Sequence, residues 1–197
     1  MVEQNEELKD KIENCIDFIY FTLLEAEYNL HVWLELFPIE ERVQILNRYR
    51  GFFIPTIKAH KDMLYVNLCK ILEYSKDSYN FNYLFNLVKR LYPTVIDIES
   101  ERQKIFTNHA KTIENAKRYR DRQIAHVDRR LIPLKAKKPG DKLDPEIGIT
   151  LGEIKSLIKT LETSIGEIST KTLRRHLSFR LDRAQDSSSV IGMLKAQ

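Results

Sequence analysis

Apolar residues recur at alternating steps of four and three along the first forty positions: Ile12, Ile16, Ile19, Leu23, Ala26, Leu30, Trp33 and Phe37. That spacing is the seam of a long helix lying nearly parallel or antiparallel to its neighbours. A chain that begins this way builds its core from helices. Only six glycines and six prolines occur among 197 residues, which argues against a many-turned sandwich or barrel. With 43% hydrophobic residues there is material for a single sizeable core.

The remaining elements follow from breakers and caps. The first helix ends at Phe37-Pro38. A shorter helix is expected from Glu40 to Phe53, stopped by Pro55, because the residue before a proline disfavours the helical region. The next runs from Thr56 to Tyr74 with Ile57, Leu64, Leu68 and Ile71 inward, and Ser75 to Ser78 form a turn. Asn80 caps a helix carrying Leu84, Leu87, Val88 and Leu91, which Tyr92-Pro93 closes. A second long helix starts between Asp97 and Ser100, where Ser100-Glu101-Arg102-Gln103 fits a capping box, and continues past Ala125. Residues 131–149 form a proline- and glycine-containing loop whose lysines are available to a polyanion, a length that compact domains use sparingly. Thr150 to Glu153 is a second capping box. It opens the last long helix, with Leu151, Ile154, Ile158, Leu161, Ile165 and Ile168 inward. The expected fold is all-α, a bundle of about five or six helices in one domain over residues 1–183, with a frayed tail at 184–197.

Several function classes drop out. No stretch approaches 18 uncharged apolar residues, so no membrane span is expected. The first residues lack a secretory signal, and Cys15 and Cys69 are too few for a disulfide framework, so a cytoplasmic location is expected. The two thiols read as small apolar fillers, and Trp33 as core. There is no zinc-like cluster, no glycine-rich phosphate loop and no sign of a cofactor; no metal site is expected.

The net charge of +4 conceals an asymmetry. Residues 1–41 carry a net −9, and residues 117–138 a net +7. The basic block offers Lys117, Arg118, Arg122, Arg129 and Arg130 to phosphate, with the Tyr119 ring among them; charge by itself favours a solvated helix end. A second basic set (Lys171, Arg174, Arg175, Arg180, Arg183) reads as a solvated helix face.

The stripe of the second long helix passes Phe106, His109, Ile113, Ala116, Arg120, Gln123 and Val127. An arginine on such a stripe must be paired, or face a groove or another subunit. Six residues on stands His126, the one histidine in the basic block. An imidazole moves protons near neutral pH, and a guanidinium grips phosphate with parallel hydrogen bonds. Such a pair suffices for metal-free cleavage of RNA by its own 2′-hydroxyl. On an ideal helix Arg120 and His126 lie about 120° apart, whereas Arg122 and Tyr119 each share a face with His126. Either the helix deforms, or two copies of the chain meet to form a composite site, the alternative favoured here. Tyr119 and Arg122 are themselves expected to face solvent or line the cleft, and His109 to be a hydrogen-bonded core histidine.

Arg120-Asp121 followed four residues later by His126 resembles the signature of the HEPN superfamily. The string from Tyr119 to His126 is similar to the YR(N/D)xxIAH text of its abortive-infection-type branch. The similarity extends over most of residues 5–180. It implies a helical bundle, usually a homodimer, with the two motifs at a shared cleft and metal-independent endoribonuclease activity in toxins or antiphage effectors. By position, Arg120 would hold phosphate, Asp121 would orient the arginine and His126 would act as acid and base. RNA, a second copy and an antitoxin protein are the implied partners. Some relatives carry a tyrosine two positions after the histidine that an antitoxin modifies; this chain has Asp128 there, which argues against that mode. Two other readings stand beside the nuclease: a non-catalytic RNA- or nucleotide-binding module, and a helical protein-interaction domain.

Overall fold

A computed structural model describes residues 2–75, 78–123, 148–179 and 191–194, with the side chains of residues 2–4, 122 and 123 left aside. The fold is all-α. The helices are α1 (Val2–Glu35), α2 (Glu40–Arg48), α3 (Arg50–Leu72), α4 (Phe81–Leu91), α5 (Ile98–Arg102), α6 (Ala110–Gln123) and α7 (Leu151–Leu173). A π-helical turn, Gln103–Thr107, joins α5 to α6.

The opening stripe is the spine of the molecule. Ile12, Ile16, Ile19, Leu23, Ala26, Leu30 and Trp33 are all buried, and α1 packs against α3, α4 and α7. Burying side chains of this size stabilises the fold by about 1.5–3 kcal/mol each. Cys15 and Cys69 are buried free thiols within this core, and burial pushes both up to about 12. A smaller cluster joins Val32, Leu36, Ile45, Leu46 and Phe53 at the far end of α1.

Two caps stand where the sequence places them. The Asn80 side chain accepts from the Tyr83 N–H at 2.9 Å, and its amide donates to the carbonyls of Ser75 and Ser78. At α7 the Thr150 hydroxyl accepts from the Glu153 N–H at 3.2 Å, while Glu153 accepts from the Thr150 N–H at 2.7 Å.

Three helix boundaries and one cap differ from expectation. The break after α2 falls at Tyr49, and Pro55 lies inside α3. Pro55 is the sixth residue of α3, and its ring gives up the backbone bond that an N–H there would make. The gain is that Phe53 and Ile57 pack inward on the same helix. The start of α5 is capped by Asp97, whose carboxylate accepts from the Ser100 N–H at 3.1 Å. Asp caps as well as Ser, and starting three residues earlier buries Ile98. The second long helix is interrupted: the Asn108 N–H bonds to the Gln103 carbonyl, a five-residue step, at 3.1 Å. Finally, α7 stops at Leu173, where Arg174 takes a left-handed conformation with φ 54°.

After α7 the chain lies along α1. The Tyr20 hydroxyl donates to the Ser178 carbonyl at 2.7 Å, and its ring meets Phe179. Arg175, expected on a solvated helix face, instead pairs with Asp17 and Glu13 of the acidic first helix. Within the segment expected to fray, residues 191–194 form a helical turn that buries Ile191 in the smaller cluster.

Candidate functional site

Tyr119 and Arg120 occupy adjacent positions near the end of α6, which packs across α3. Their side chains are held by α3 in different ways. Tyr119 is 3% exposed, so it neither faces solvent nor lines a cleft. Its ring lies 4.6 Å from that of Tyr65, with the Lys61 ammonium 4.9 Å from its centroid. Its hydroxyl donates to Asp62 Oδ1 at 2.5 Å, and Lys58 binds the other oxygen of the same carboxylate. The buried stripe of α6 thus runs through Ile113 and Ala116 to Tyr119, leaving Arg120 on its margin. Tyr119 wins the inward position because its ring fills core volume while its hydroxyl finds a charged acceptor.

The Arg120 side chain is 28% exposed. Its Nη1 donates to Glu73 Oε2, and its Nε and Nη2 both donate to Asp121 Oδ1, at 3.0 and 2.6 Å. The Glu73 hydrogen bond, outweighing desolvation, and then Asp121 raise the Arg120 pKa above its already high ordinary value. Of the five guanidinium N–H groups, these bonds use three. Among the described residues, one N–H on each terminal nitrogen takes no partner. That leaves donors on both ends of the fork for a phosphate oxygen.

Glu73 lies outside the sequence motif. It caps the C-terminus of α3, 47 residues before Arg120. A carboxylate at that end of a helix opposes the macrodipole, a local signal that a cation must lie nearby.

Of the other basic candidates, Lys117 is half-buried, and Arg118 is exposed, with Nη2 donating to Asn115 Oδ1 at 2.7 Å. His126, Asp128, Arg129, Arg130 and residues 131–147 lie outside the described residues, as does the Arg122 side chain. His109 is a half-buried histidine with Nε2 3.0 Å from the Thr160 hydroxyl, and burial lowers its pKa. Among the described residues no group of His, Cys and acids is arranged to hold a metal ion, and no helix is long and apolar enough to cross a membrane.

Among known families, the HEPN_AbiU2 model, described as AbiU2, matches residues 9–190. No curated protein and no solved structure matches the chain.

Proposed function

The chain belongs to the AbiU2 family of HEPN domains, and from that membership we propose that it is a metal-independent endoribonuclease acting in an antiphage or stress response. The observation that carries this reading is Arg120: a half-buried guanidinium, braced by two carboxylates, with a donor on each terminal nitrogen that takes no partner among the described residues.

The proposed chemistry uses two residue types. Arg120 holds a phosphate of single-stranded or structured RNA and stabilises the charge that builds on it. Asp121 keeps the guanidinium oriented. The adjacent ribose 2′-hydroxyl attacks phosphorus and gives its proton to an imidazole, while the leaving 5′-oxygen takes a proton. His126 supplies this acid–base function. The products carry a 2′,3′-cyclic phosphate and a 5′-hydroxyl. Lys117, Arg118, Arg122, Arg129 and Arg130 draw the polyanion toward the site. The buried Tyr119 anchors α6 on α3.

The working unit in this reading is a homodimer with the motifs of both copies at one cleft. The solvent side of α3 supports it: Phe52 and Met63 stand exposed there, and Tyr74 is exposed just after its end. An otherwise core-forming helix that shows aromatic and thioether side chains to solvent suits cover by a second copy.

The test is to incubate total RNA with the wild type and with His126→Ala, and to measure retention and cleavage together. Cleavage lost in the variant with retention kept supports the nuclease. Retention without cleavage by either protein assigns a non-catalytic RNA-binding module. No retention at all leaves the interaction-domain reading.

A further inference from the structure

We infer that Glu73 is the positioning residue for Arg120: it holds the guanidinium in the frame of the bundle so that its two remaining donors face a phosphate. The inference rests on the ribonuclease reading and extends it to a residue outside the motif.

Three observations carry it. First, Asp121 cannot do this job alone. It is the next residue on the same helix end and its side chain is 62% exposed, so it moves wherever Arg120 moves. Among the described residues, Glu73 is the partner that ties Arg120 to another element, from 47 residues away. Second, Glu73 is itself fixed. It is the C-cap of α3, its N–H bonds to the Cys69 carbonyl at 2.9 Å, and the neighbouring Leu72 and Ile71 are buried. Third, the placement is electrostatically costly without Arg120. A carboxylate at a helix C-terminus meets the negative end of the dipole, and the guanidinium offsets that repulsion. At 30% and 28% exposure the two groups are shielded enough to hold one geometry and open enough to leave the fork accessible.

A group held by a rigid supporting shell reacts from the geometry that the bound state needs, and a misplacement of about 1 Å costs on the order of 100-fold. Glu73 touches no substrate in this scheme; its effect passes through Arg120.

The experiment compares wild type, Glu73→Ala and Glu73→Gln in the full chain. Gln keeps an oxygen acceptor for Nη1 and removes the charge. Cleavage of a labelled RNA gives kcat and KM, and ¹⁵N-labelled protein gives the exchange rate of the Arg120 Nη1–H. Thermal melts check that each variant folds. The expected result is a kcat about 10- to 100-fold lower in Glu73→Ala with KM within about 3-fold, and near-normal kcat in Glu73→Gln. The Arg120 Nη1–H, the proton that Glu73 accepts, exchanges faster in Glu73→Ala alone. Two results overturn the inference: wild-type kcat and exchange in Glu73→Ala, or faster cleavage and tighter RNA binding in that variant, which makes Glu73 a mask. If the wild type cuts no RNA, the ribonuclease reading fails, and exchange alone decides whether Glu73 holds Arg120.

Discussion

At the scale of single residues, the most unusual ionisable group outside the site is Glu27 on α1. Burial, and then the hydrogen bond and negative charge of Glu162 on α7, push its carboxyl up from 4.5 to about 8, against the opposing pull of Lys159. One Glu27 oxygen is buried with no hydrogen-bond partner among the described residues. His31 and Lys155 border the same crevice between the two helices. The linkage has a definite sign. Glu27 holds its proton in the fold to a higher pH than in the unfolded chain, so it favours the fold below about pH 4.5, and that contribution is lost as pH rises through about 8. Urea midpoints are therefore expected to fall between pH 5 and pH 8.5, and Glu27→Gln is expected to flatten that fall. A midpoint with the same pH dependence in wild type and variant contradicts the assignment. The motif residues divide at this scale. That Arg120 needed a partner was legible from its place on an apolar stripe. That the partner is Glu73 was not, because the two meet only after α6 crosses α3. Tyr119 departs from expectation for a related reason. A helical stripe has two edges, and neighbours 119 and 120 compete for the inward one; volume and the waiting Asp62 carboxylate decide it.

Among the elements, the ends of the helices carry most of the lessons. Asn80 and Thr150 were readable as caps because a polar side chain just before an apolar repeat has one favourable use. The π-helical turn was not, since an inserted residue leaves no composition signal and its bond geometry is set by the packing of α5 and α6 around it. Nor was the break at Tyr49: local propensity points to Pro55, and the burial of Phe53 overrides it. The close of α7 provides a test. Arg174 holds φ 54°, a region that costs a residue with a Cβ about 1 kcal/mol and costs glycine almost nothing. Its backbone N–H nevertheless satisfies the Thr170 carbonyl at 3.1 Å. Arg174→Gly is expected to raise stability by up to about 1 kcal/mol in urea denaturation, the glycine being the residue that this type of helix end prefers. A loss of stability contradicts a strained cap and assigns the arginine side chain a contact of its own.

Across the whole molecule, the charge asymmetry acquires a structural meaning. The acidic first helix is not left to repel itself: Arg175 of the chain after α7 binds Asp17 and Glu13, and Tyr20 and Phe179 close the same seam. Exposed Phe52, Met63 and Tyr74 mark the flank of α3, the helix that also holds Tyr119 and, through its cap, Arg120. Light scattering at micromolar concentration is expected to give twice the chain's 23.3 kDa, and Met63→Lys is expected to shift that equilibrium toward the monomer. A wild-type monomer removes the composite-site argument. The all-α architecture was legible because every core helix repeats its apolar residues at three and four. The proposed reaction rests on one short motif, whose arginine the bundle holds and whose histidine lies outside the described residues.

That motif sets the decisive measurement. Purified wild type, Arg120→Ala and His126→Ala are each incubated with a defined RNA in EDTA, and the new ends are analysed. The wild type is expected to leave 2′,3′-cyclic phosphate and 5′-hydroxyl ends, and both variants to lose cutting by about 100-fold or more, since an acid–base group and a charge-stabilising donor each contribute on that order. Cutting by His126→Ala at the wild-type rate, or 3′-hydroxyl ends from the wild type, contradicts the nuclease reading.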